Sequence, residues 1–103
     1  MQVHNLHLYR GDTHVLELVM VDSTGKPFDL SGLTASMVVK PTYGNPITPV
    51  LNIKGNTVNV EFPSHLTRDV RWRAAQYDLK LIRGNVVRTV LRGKLTLEKD
   101  VSL

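Results

Sequence analysis

Apolar residues recur at every second position along most of this chain and hardly anywhere at helical spacing. In Val15–Asp22, Leu16, Leu18 and Met20 fall on one side and Glu17 on the other. Leu33, Ala35, Met37 and Val39 alternate with Thr34, Ser36, Val38 and Lys40. Val58, Val60 and Phe62 alternate with Thr57, Asn59 and Glu61, and Ala75, Tyr77, Leu79 and Leu81 with Gln76, Asp78 and Lys80. Successive side chains of a strand point to opposite faces, so each stretch reads as a strand with one face buried and one wet. That pattern belongs to antiparallel sheets rather than to parallel sheets buried on both faces.

Turn chemistry separates the strands. Asp22-Ser23-Thr24-Gly25-Lys26-Pro27 combines an Asx-type start, a glycine for positive φ and a proline that fixes φ. Asp29-Leu30-Ser31-Gly32, Tyr43-Gly44-Asn45-Pro46, Lys54-Gly55-Asn56 and Arg83-Gly84-Asn85 read as four more turns. Short strands with turns at this spacing predict an all-β, immunoglobulin-like antiparallel β-sandwich of about seven strands. One short helical turn is expected over Pro63–Val70, with Ser64 as its cap. The expected core includes Leu18, Met37, Val60, Tyr77, Leu79, Leu91 and Leu95.

The last hairpin sets which basic residues share a face. A two-residue Gly84-Asn85 loop would set Arg88 opposite Leu81 on the buried side, which is costly. A three-residue loop, Arg83-Gly84-Asn85, pairs Leu81 with Val87, Leu79 with Thr89 and Tyr77 with Leu91. A one-residue slip exchanges the faces, so the longer loop is the expectation. Val87, Leu91, Leu95 and Leu97 then point inward, while Arg88, Arg92 and Lys94 project outward together, with Lys80 nearby. Charge sharpens the interest in that face. Residues 1–67 carry four basic and five acidic side chains, and residues 68–103 carry nine and four. A basic half raises nucleic acid as a partner, and its plainer readings are a solvated sheet face or a contact to an acidic protein surface. Trp72, between Arg71 and Arg73, has three readings: a lid on one end of the sandwich, an aromatic–arginine anchor at a protein interface, or a nucleic-acid contact.

Little else suggests chemistry. With 103 residues the chain makes one domain, residues 1–103. It has no cysteine, which excludes disulfides, thiolate zinc sites and cysteine nucleophiles. His4, His7, His14 and His65 show no metal-site spacing. Ser64, His65 and Asp69 are triad residue types without the Gly-x-Ser-x-Gly elbow, and Glu61 and Asp78 sit at outward positions. The glycines come singly, at turns, so no phosphate loop is present. No catalytic residue, cofactor, metal or small-molecule substrate is expected. The start lacks an apolar h-region and no apolar run reaches membrane-spanning length, so synthesis in a cytoplasm without membrane contact is expected. Arg10-Gly11-Asp12, a tripeptide that adhesion receptors read elsewhere, fits better as a turn into the first long strand. Gly11 supplies the backbone freedom and Asp12 the acceptor for turn amides.

Two stretches carry a resemblance. They are "YRGDTHVLELVMVDSTGKPFDLSGLTASMVVKP", Tyr9 to Pro41, and "AAQYDLKLIRGNVVRTVLRGKLTLEKDVS", Ala74 to Ser102. An R-G-D-T strand opener, D-x-x-G-x-P-x-D-L-S-G, then Y-D-L, a glycine hairpin and L-x-G-x-L-x-L follow in order. Together they resemble the small β-sandwich domain of tailed-phage structural proteins, as at the N-terminus of baseplate upper proteins. The resemblance implies a non-enzymatic virion structural protein, an accessory, connector or decoration component that docks to other virion proteins. It implies localisation in the virion and a homo-oligomer in the particle. The partner-binding residues expected are Arg71, Trp72, Arg73, Arg88, Arg92 and Lys94. Met1–Tyr9 and Glu98–Leu103 are expected to order on assembly, since termini are loosely held unless docked. The alternative is a small basic, barrel-like nucleic-acid-binding protein.

Overall fold

The alternating segments become the strands of two facing sheets. The computed structural model of the chain describes residues 2–98. In chain order they form β1 (Gln2–Val3), β2 (Leu6–Tyr9), β3 (His14–Val19), β4 (Thr34–Pro41), β5 (Val50–Lys54) and β6 (Thr57–Phe62). A helical turn, α1 (Ser64–Thr67), then leads to β7 (Ala74–Arg83) and β8 (Val86–Glu98). One sheet runs β3-β6-β5 and the other β8-β7-β4, with β1 and β2 both added to the free side of β8. These are the B-E-D and G-F-C orders of an immunoglobulin-type sandwich. Because β1 and β2 hold one register along β8, they act as a single strand interrupted at His4-Asn5. That first strand corrects the all-antiparallel expectation, because it runs parallel to β8. It also corrects the expectation for the N-terminus: Leu6–Tyr9 is already docked. Met1 and residues 99–103 of the expected C-terminal segment lie outside the described residues.

The inner faces meet in one core. Val58, Val60 and Phe62 from one sheet pack against Met37, Val39, Tyr77, Leu79, Leu91, Leu95 and Leu97 from the other, all buried. Leu6 and Leu8 close one margin, and Trp72 closes one end. Of the expected core residues, Leu18 is the exception; it is half-buried at the core's edge with Leu16 and Met20.

The last hairpin departs from the expected register. Arg83 pairs with Val86, so the loop is the two-residue Gly84-Asn85. Gly84 has φ 56°, and among the described residues no non-glycine residue has positive φ. Glycine at the first central position followed by a residue with negative φ is the pattern of a type II′ turn, whose twist suits a hairpin. The β5–β6 turn repeats it, with Lys54 pairing Thr57 around Gly55-Asn56. Leu81 therefore faces Arg88, and Val87 faces Ile82. A bulge then inserts Val90 between Thr89, opposite Lys80, and Leu91, opposite Leu79. The extra residue returns Leu91, Leu95 and Leu97 to the core face. Two placements are overturned. Val87 is not inward but 55% exposed. Arg88 shares a face with Leu81, opposite to that of Arg92 and Lys94. The anticipated cost is absent because the core has ended at this level and Arg88 stays exposed.

The Arg10-Gly11-Asp12 turn is tied into the fold. Arg10 Nη2 donates to the Trp72 carbonyl at 3.2 Å, and the Gly11 amide donates to Thr67 Oγ1 at 2.9 Å. Thr67 is the buried polar residue that binds this turn, the acceptor role expected of Asp12. Pro63, not Ser64, precedes the first helical residue, and no side chain caps α1. The turn is architectural, and its arginine is committed to the main chain beneath it.

Candidate functional site

The outer face of the five-stranded sheet is where the basic half of the sequence becomes a surface. Alternation along β8 and β7 sends Arg92, Lys94, Asp78 and Lys80 away from the core, and along β4 it sends Lys40 and Val38. The register lines them up in rows. Val3, Arg92, Asp78 and Val38 form one row across four strands. Lys94, Gln76 and Lys40 form the next, beside Asn5, whose Oδ1 accepts the Lys94 amide at 3.0 Å. Lys80 flanks the first row, between Thr89 and Ser36. Four cations thus surround the half-buried carboxylate of Asp78, and none has a carboxylate within salt-bridge distance among the described residues. Lys40 was missed by sequence reasoning because it lies far along the chain; its outward position in an alternating strand was the available signal.

The same face ends in a different chemistry. His7 Nε2 lies 3.1 Å from Glu98 Oε1, and the His7 and Tyr9 rings meet edge to face with centroids 6.1 Å apart. Tyr9 is 50% exposed, so this face does carry one aromatic side chain, at its margin.

The expected partner-binding residues divide into three groups. Arg92 and Lys94 are together on this face, with Lys80. Arg88 is on the other side of the sheet, where it lines a groove at the hairpin end with Leu81, Met20 and Phe28. Arg71 and Arg73 are exposed at the far end, before β7, but Trp72 between them is 2% exposed. Its indole lies beneath Gly44 and belongs to the buried core cluster, the placement that the lid reading requires. Arg73 keeps its carbonyl on the Leu97 amide at 2.8 Å, which fixes the strand end.

Among the described residues, no three His, Asp or Glu side chains come close enough to hold a metal ion. No hydrogen bond links Ser64, His65 and Asp69; the Asp69 carboxylate lies instead 3.8 Å from Arg68 Nε. No helix of the described residues is long and apolar enough to cross a membrane.

This chain shares its fold with the N-terminal domain of phage TP901-1 ORF48. The match has a TM-score of 0.57 at 13% sequence identity, over 96% of this chain and 100% of that one. The extracellular fragment of novel immune-type receptor 11 from Ictalurus punctatus, with its stalk, also aligns. That match is over 98% of this chain and 87% of the other, at 12% identity and a TM-score of 0.46. No protein-family model and no curated protein sequence matches.

Proposed function

We propose that this protein is a non-enzymatic structural component of a tailed-phage virion that docks to other virion proteins as an accessory or connector. The observation that carries the reading is the fold shared, end to end, with a domain of a phage protein. The ordered motifs of Tyr9–Pro41 and Ala74–Ser102, which resemble the N-terminal domain of baseplate upper proteins, support it independently.

The docking surface is the outer face around Arg92, Lys94, Lys40 and Lys80, and the partner is an acidic protein surface. Charges in such a position act mainly on encounter rate and register, less on final affinity. A flat β-face with one marginal tyrosine lacks the row of stacking aromatics that single-stranded nucleic acid uses. The basic residues are few for a duplex binder, and two open sheets replace the barrel of the nucleic-acid alternative. Repetition in a particle calls for a symmetric homo-oligomer, and the sandwich leaves sheet edges open for it.

Mass spectrometry of gradient-purified particles from an induced or infected host tests this reading. The protein is expected in the particle at a fixed ratio to the major tail or head proteins. Its absence from particles overturns the structural role. Binding of the wild type to random duplex DNA that falls steeply with salt and is lost in R92A/K94A transfers the face to nucleic acid.

A further inference from the structure

The hairpin end of β8 is built differently from the rest of that strand. From Leu91 to Thr96 the strand has β7 on one side, while β1 and β2, joined through His4-Asn5, run along the other. From Val86 to Thr89 it has β7 alone among the described residues. The two-residue turn makes Arg83 and Val86 a hydrogen-bonded pair, and such pairs alternate with pairs that point away. Val87 and Thr89 are at the non-bonded positions. Their N–H and C=O groups therefore aim into the space beyond the start of β1. A row of alternating donors and acceptors along an edge is matched most fully by another main chain, as in strand addition.

The side chains beside that edge say what the strand should carry. Val86 and Arg88 lie on the face of Leu81, above a groove floored by Met20, Leu33 and Val90. Val86 is 56% exposed, and Phe28 forms part of the opposite rim. Arg88 has no carboxylate within salt-bridge distance among the described residues. The nearest acidic side chain on the rim, Asp22, already accepts from Thr24 and Lys26.

We propose that the open β8 edge at Val86–Thr89, with the groove beside it, captures an extended strand of another protein carrying an acidic side chain between two apolar ones. The acid pairs with Arg88, and the apolar neighbours cover Val86 and Val90. A second copy of this chain is a poor occupant, because symmetric pairing of the two edges sets arginine against arginine. The inference does not depend on the virion role, and its test needs no particle.

A suitable probe is the capped peptide Thr-Val-Thr-Glu-Thr-Val-Thr, titrated into the 15N-labelled protein. Two control peptides replace Glu by Lys or N-methylate alternate backbone amides. The Val87 and Thr89 amide resonances are expected to shift and their hydrogen exchange to slow. R88E, an exposed change that should leave the other resonances in place, is expected to reverse the preference from the Glu to the Lys peptide by at least about tenfold. The N-methylated peptide should not bind. The proposal is overturned if the Val87 and Thr89 amides stay unmoved at millimolar peptide, or if the Glu and Lys peptides bind alike. It is equally overturned if N-methylation makes no difference, or if the free protein already dimerises through this edge.

Discussion

At Gly93 a missing methyl group sets the path of the first strand. A Cβ there would overlap the His4 carbonyl, with its carbon 2.7 Å away, and would crowd the Tyr77 ring at 3.2 Å. The Tyr77 hydroxyl donates to that same carbonyl, and the His4 amide donates to Arg92 O at 2.9 Å. The interruption between β1 and β2 is therefore seated on a glycine and held by a tyrosine. G93A should destabilise the fold by about 1–3 kcal/mol, the usual cost of forcing atoms into a packed site. Y77F should cost less, about 0.5–1.5 kcal/mol, the net worth of one hydrogen bond. Urea unfolding measures both, and faster hydrogen exchange at the His4 amide should accompany G93A. Tyr77 as an inward residue was legible from alternation alone. Gly93 was half legible, since a glycine inside a strand signals a close approach. No local pattern could say that residue 4 makes it, because the contact closes nearly the whole chain.

The β7–β8 hairpin shows how an element corrects its own register. The Gly-Asn dipeptide was a readable signal for the two-residue loop. Strict alternation opposes that loop, because it puts an arginine on the buried face. Alternation says which face a residue is on but not how far along the strand that face stays covered, and the bulge at Val90 is invisible to a strict period of two. Deleting Val90 should leave the turn intact and send Leu91, Leu95 and Leu97 to the solvent side. The expected result is loss of cooperative folding, seen as a collapsed amide NMR spectrum. The turns on the other side of the groove were legible in full. The Asp22 carboxyl is held below its usual value, chiefly by the Thr24 hydroxyl and then by the Lys26 and Thr24 amides. The Ser31 amide and hydroxyl lower Asp29 in the same way. A carboxylate depressed in the folded state contributes stability that is complete above its unfolded value, about 3.9. That stability is lost as pH falls through the lower folded value. D22N and D29N should therefore flatten the fall in urea midpoint between about pH 5 and pH 3. Both groups are exposed, so the change should be small.

For the molecule as a whole, two sheets with a shared core followed from period two and turn spacing. The division of basic residues between surfaces did not, because it depends on the bulge. Arg92 and Lys94 now define one surface and Arg88 another, which makes their variants separable. R92A/K94A should change unfolding free energy by less than about 0.5 kcal/mol, as exposed charges usually do. It should slow incorporation into particles, measured as the ratio of variant to wild type when both are expressed together. What sequence reasoning missed in the first strand is its parallel pairing with β8. Val3 faces outward and Leu6 and Leu8 inward in one unbroken register along β8, so no change of period marks the interruption at His4-Asn5, and the partner strand lies at the other end of the described chain.

That same strand has a mechanical consequence. The first and last strands of the described chain lie side by side and run in the same direction, and Gln2 meets Leu91 while Tyr9 meets Glu98. Tension applied through both strands pulls them past each other along their length. The bonds between them are loaded together in shear, not peeled one after another as in a hairpin opened from its ends. Paired in this way, the two terminal strands resist a pull along their own length.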